Sequence, residues 1–153
     1  MRLRLPASLL GRLQEALAHA GRREIGGQLF GEQIAPSDFR VTEIVYQARP
    51  GTFARFVVDV VQAGRDAVAF FRRTDHQYAR FNYIGEWHSH PSFEVAPSLT
   101  DAASMRGLVA DQTFKGNFAV LMIVRLDPQA LRCGAWLFDP AGQEQAVSLE
   151  IEP

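Results

Sequence analysis

Between Phe118 and Leu126 the chain reads Phe-Ala-Val-Leu-Met-Ile-Val-Arg-Leu, a dense apolar run broken by one arginine. The run is far short of the ~18 to 20 apolar residues that span a bilayer. It suits a central strand buried on both faces, which has to sit in a sheet covered on both sides. The segments around it supply the covering layers. Pro6 to Ala20 places Leu9, Leu10, Leu13, Ala16 and Leu17 at helical spacing, with proline in the first turn and Gly21 at the C-terminal cap. Val61 to Tyr78 reads as a second helix, with Val61, Val68, Phe71 and Tyr78 near one face, and Ser98 to Asp111 as a third.

Strands are expected at Glu24 to Gly31, at Arg40 to Gln47 with Val41, Ile44 and Val45 as core candidates, and in the extended run Phe53 to Val60. Others are expected at Asn82 to His90, Arg132 to Phe138 and Gln145 to Ile151. Turns fall at Pro36-Ser37-Asp38, Arg49-Pro50-Gly51, Asp127-Pro128 and Asp139-Pro140-Ala141-Gly142. The order α-β-β-β-α-β-α-β-β-β predicts a mixed α/β, α+β-like fold, a central mixed sheet flanked by about three helices. No linker divides the 153 residues, so residues 1–153 are expected to be a single domain.

Composition narrows the function classes. A net charge of -1, with basic residues scattered along the chain, argues against a dedicated nucleic-acid surface. The one cysteine, Cys133, rules out an intramolecular disulfide and a Cys-rich zinc knuckle, and has no activating base beside it in sequence. Met1 to Pro6 lacks the sustained apolar stretch of a secretory signal, so a cytoplasmic chain without membrane association is expected.

The chemistry-bearing residues lie between the fourth expected strand and the third helix. His88-Ser89-His90-Pro91 is followed by Ser98 and Asp101. Residues i and i+2 of a strand face one side, so His88 and His90 can aim at one metal while Ser89 points away. Pro91 ends the strand, and the loop to Pro97 turns the chain back. Ser98 fits a helix N-cap and Asp101 the first turn, where the helix dipole favours an acid; these roles are compatible with a place in a metal site. Two histidines and a carboxylate are the ligand set of a catalytic zinc that keeps one position open. His19 and His76 have no partner at ligand spacing and are expected on helix surfaces. Local spacing offers Glu86, two residues before His88, as an accompanying base, with Glu94 in the loop as another.

The motif H-S-H-P-x6-S-x2-D, with Glu24-Ile25-Gly26-Gly27-Gln28-Leu29-Phe30-Gly31 upstream, resembles the signature of the JAMM/MPN (JAB-type) zinc metallopeptidases. Tyr83 to Pro91 is similar to the prokaryotic standalone branch. The resemblance implies a cytidine-deaminase-like JAMM/MPN fold, with His88, His90 and Asp101 as ligands of Zn2+. It also implies Glu24 as general base, ahead of Glu86, and Ser98 as the hydrogen-bonding partner of the water or oxyanion. It implies cleavage after the C-terminal Gly-Gly of a ubiquitin-like or sulfur-carrier protein, in the company of E1- and E2-like enzymes encoded nearby. Such a tail would pair with a strand edge near the site, where Gly26 and Gly27 would permit close approach. A weaker likeness to the RadC family rests on His90-Pro91-Ser92 and Pro97-Ser98, but Ser89 and Phe93 depart from it. Non-catalytic MPN scaffolds are a third class; those usually lack motif residues.

Overall fold

The computed structural model describes residues 1–47, 60–128 and 130–153. In chain order the elements are β1 (Arg2–Pro6), α1 (Ala7–Ala20), β2 (Gly26–Ala35), β3 (Asp38–Ile44) and α2 (Val60–Arg73). There follow β4 (Phe81–Ser89), α3 (Leu99–Ala110), β5 (Ala119–Leu126), β6 (Leu131–Phe138), β7 (Glu144–Ala146) and β8 (Ser148–Glu152). The strands form one mixed sheet in the order β7-β6-β5-β4-β2-β3-β1-β8. The expected mixed α/β architecture with three helices holds for the described residues. The turn at Arg49–Gly51 lies outside them. So does the extended run from Phe53, apart from Val60, which begins α2.

β5 is the doubly buried strand its composition predicts. Val120, Met122 and Val124 face one side, packed with Leu9, Leu13 and Leu17 of α1. Ala119, Leu121 and Ile123 face the other, packed with Met105 and Val109 of α3. Each of these side chains larger than alanine contributes roughly 1.5–3 kcal/mol of transfer free energy, so β5 anchors both layers. The second helix also lies on this side: Phe70 of α2 stacks on Phe30 of β2, ring centroids 4.6 Å apart.

Three expectations are corrected. Arg2 to Pro6, where no strand is expected, is β1, paired in parallel with both β3 and β8. The strand is short, with only Leu3 and Leu5 going inward while the arginines take the other face. The expected strand Gln145 to Ile151 is two strands. β7 pairs with β6 at one edge of the sheet, β8 pairs with β1 at the other, and Val147 alone separates them. Edge strands one residue apart require the sheet to roll until its edges approach. Val147 N–H donates to Ala135 O (2.9 Å) and Ser148 N–H to Met1 O (3.3 Å) across that junction.

The second helix stops at Arg73, short of Tyr78. The Thr74 hydroxyl donates to Phe70 O (3.1 Å), and Asp75 and His76 take left-handed φ values of 53° and 54°. Its inward face is Ala63 and Phe70; Val61 and Val68 are exposed. His76 consequently sits in a turn, its Nδ1 2.8 Å from the Tyr78 hydroxyl, while His19 is on the exposed side of α1 as expected. Val45 lies beyond the end of β3 and is only partly buried. Among the described residues, no helix is long and apolar enough to cross a membrane.

Candidate metal centre

β4 and β5 run parallel, and α3 is the crossover between them. The chain leaves the carboxyl end of β4 at Ser89 and re-enters a helix at Leu99. The carboxyl end of parallel strands is where α/β sheets place ligands, and His88 and His90 stand there. Pairing fixes the face they point to. His88 is level with Ile123 in β5, and Leu121 and Ile123 lie under α3, so this side of β4 is roofed by the helix. On the opposite side, fully buried Trp87 packs in the α1 layer and donates its indole N–H to Val45 O (2.9 Å).

The N-terminus of α3 carries Asp101 to the histidines through a capping box. Ser98 Oγ accepts from Asp101 N (3.1 Å), and Asp101 Oδ2 accepts from Ser98 N (2.8 Å). One local motif thereby starts the helix and aims the carboxylate. His88 Nε2 and His90 Nε2 are 3.0 Å apart; Asp101 Oδ1 is 3.4 Å from the first and Oδ2 is 3.5 Å from the second. A tetrahedral ion with bonds of about 2.0–2.1 Å spaces its ligand atoms about 3.3 Å apart. The three side chains could therefore hold one metal ion with little adjustment, and they are the group among the described residues with that capacity.

The electrostatics agree with the geometry. Burial pushes the Asp101 carboxyl up, but His88, His90 and Ser98 outweigh it and hold the group well below the usual carboxylate range. Burial pulls the His90 imidazole down; Asp101, the Glu94 carbonyl and the charge of Glu24 reverse the sign and leave it raised. His90 Nδ1 lies 2.8 Å from Glu94 O. In the neutral imidazole, donation from Nδ1 to that carbonyl leaves the Nε2 lone pair for a metal ion. Glu94, a candidate base in the loop, thus touches the site through its backbone, with an exposed side chain.

The remote glutamate arrives by strand register. β2 pairs with β4 antiparallel, Gly26 level with His88; Ser89 N–H on Ile25 O carries the pairing one residue further, and by extension Glu24 comes opposite His90, on whose imidazole its charge acts. Opposed residues in a ladder point to the same face, which puts Glu24 beside the histidines. It is buried, 5% exposed, although it precedes the first residue of the strand expected to begin with it. Glu86 shares that face of β4 two residues deeper, level with Gln28 and Leu121, and burial pushes its carboxyl up to about 7.

The expected opening for a substrate at Gly26 and Gly27 is filled by the protein itself. β2 lies between β4 and β3, Val45 N–H donates to Gln28 O and Gln47 N–H to Gly26 O, and a Cβ on Gly27 would strike the Val45 carbonyl. A cavity of about 930 Å³ lies elsewhere, lined by Phe39, Arg80, Asn82, Phe114 and Lys115 among others; none of the five site residues borders it. Cys133, on β6, is partly buried and its thiol is pushed up to about 11 by burial, so it stays protonated. Sequence reasoning gave Ser89 no role, although its hydroxyl bonds the backbone next to Glu24.

The fold is thus a mixed sheet with a His-x-His strand end answered by an aspartate on the following helix, a group that could hold a metal ion. The chain belongs to the family described as prokaryotic homologs of the JAB domain, whose model matches residues 6–138. Among solved structures, the solution structure of protein DSY2949 from Desulfitobacterium hafniense shares the fold. Its TM-score is 0.71 at 19% identity, over 98% of this chain and 92% of that one. No curated protein matches the chain.

Proposed function

We propose that the protein is a zinc-dependent hydrolase, cleaving a peptide or isopeptide bond after the C-terminal Gly-Gly of a ubiquitin-like or sulfur-carrier protein. The observation that carries this reading is the spacing of the His88, His90 and Asp101 ligand atoms, 3.0 to 3.5 Å apart, with Glu24 buried on the same face. Two imidazoles and one carboxylate suit zinc and leave a coordination position for the substrate side. When bound, zinc polarises the scissile carbonyl and lowers the pKa of water to near 7.

The chain's own groups supply the rest. Glu24 takes the proton of the attacking water and returns it to the leaving amine. Asp101 N–H occupies an acceptor position of the Ser98 hydroxyl, which leaves its O–H to donate to the oxygen on which charge develops. The Glu94 carbonyl holds His90 in the ligating tautomer. Leu121 and Ile123, buried under α3, keep bulk water from the inner side.

A Gly-Gly tail offers mainly backbone groups to recognise and brings no side chain to clash at the site. The reading places the protein beside E1- and E2-like enzymes that activate such tails. The test is cleavage of a ubiquitin-like domain fused through Gly-Gly to a reporter, using zinc-loaded wild type and Glu24→Gln. Wild type cleaves, and Glu24→Gln keeps its zinc while its rate falls roughly 10²- to 10⁴-fold, the range of a lost general base. An unimpaired Glu24→Gln would remove Glu24 from the mechanism.

A further inference from the structure

We propose that Ser89, the residue between the two histidines, is the positioning residue that sets Glu24 at the metal centre. The proposal rests on the reading of Glu24 as the base. Ser89 is 1% exposed and its side chain leaves β4 on the face opposite His88 and His90. Its N–H donates to Ile25 O (2.8 Å), and its Oγ accepts from Ile25 N (3.0 Å). The Ile25–Ser89 pair thus joins the two chains one residue beyond Gly26, where β2 begins, and at the last residue of β4. Glu24 is the next residue out.

On one side of Glu24 the chain is the exposed turn Gly21 to Arg23, and on the other β2 begins at Gly26, so the Ile25–Ser89 pair is the cross-strand link next to Glu24. The hydroxyl on Ser89 therefore bonds the peptide nitrogen that follows Glu24, and a change at Ser89 moves the base without touching a ligand. This gives a physical reason for a hydroxyl residue between the histidines: alanine would take the acceptor from a part-buried N–H, whereas threonine keeps one.

The experiment uses the full chain with zinc, comparing wild type, Glu24→Gln, Ser89→Ala and Ser89→Thr. Three readouts are taken: zinc content, kcat and KM on the Gly-Gly fusion, and hydrogen exchange at the Ile25 amide. Ser89→Ala is expected to keep its zinc and its KM and to lose kcat roughly 10- to 100-fold, the scale of a catalytic group displaced by about 1 Å. Its Ile25 amide is expected to exchange faster while the amides of β5 stay protected. Ser89→Thr restores both kcat and protection.

Wild-type kcat in Ser89→Ala, loss of its zinc, or failure of threonine to restore the rate overturns the proposal. An active Glu24→Gln removes the base assignment on its own, and exchange at Ile25 then decides whether Ser89 holds the segment. An inactive Glu24→Gln beside an unaffected Ser89→Ala refutes Ser89 alone. Should Ser89→Ala fail to fold, the wild-type protein still decides: an Ile25 amide that exchanges as fast as the Gly21–Arg23 turn overturns the proposal.

Discussion

Two carboxylates on one face of the sheet, Glu24 and Glu86, compete for the part of base. Spacing in the sequence favours Glu86, because it is two residues from His88 on the same strand. The register of β2 against β4 brings Glu24 level with His90, at the open end of the strand, while Glu86 sits deeper between Gln28 and Leu121. Glu86 is then a titrating group with a structural signature. Its carboxyl stands at about 7 against an ordinary 4.5, raised by burial.

The sign follows from proton linkage. Below pH 4.5 the folded and unfolded chains both hold this proton. Between about 4.5 and about 7 the unfolded chain releases it while the folded chain keeps it, so stability falls as pH rises; above about 7 the loss is complete. For a partly solvated carboxyl the loss is on the order of 2 kcal/mol. Denaturant unfolding of the metal-free protein, wild type against Glu86→Gln, should show wild type losing stability relative to the variant across that window. Parallel curves would remove the buried-acid account.

At the scale of elements, the N-terminus of α3 performs two tasks with one serine. Ser98 caps the helix and donates toward the reacting oxygen, and alanine would remove both functions at once. Glycine separates them, because a glycine N-cap costs only a few tenths of a kcal/mol whereas alanine costs about 1 kcal/mol. Ser98→Ala is therefore expected to lower both stability and kcat. Ser98→Gly should unfold close to wild type yet lose kcat by the same roughly 10²- to 10³-fold, the magnitude of a lost oxyanion donor. Thermal unfolding and single-turnover rates measured together check this. Equal activity in Ser98→Gly and wild type would leave Ser98 as a cap alone.

The whole molecule shows why some of this was legible in the sequence and some was not. His88, His90, Ser98 and Asp101 lie within one strand-loop-helix segment, where period-two alternation and capping chemistry act locally, so their spacing reads directly. The partnership of Glu24 with His90 depends on the pairing of β2 with β4, which no local pattern encodes; only the resemblance to the JAMM family pointed to it. Ser89 reads as facing away from the two histidines, as it does in β4, but its acceptor role needs Ile25 in place.

The rolled sheet is hidden for a similar reason. Gln145 to Ile151 looks like one strand, and only closure of the sheet divides it at Val147 between two edges. The second helix misleads through its apolar residues: Val61 and Val68 are exposed, and the packing against Phe30 comes from Phe70.

In the proposed hydrolase β4 and the start of α3 act together as one metal centre. Zinc titration of the purified chain, wild type against Asp101→Asn, tests that most directly. The prediction is about one tightly bound zinc per wild-type chain and a large loss of affinity when the aspartate ligand is neutralised. A wild-type chain that binds no zinc, or an Asp101→Asn chain that binds it equally well, would contradict the account.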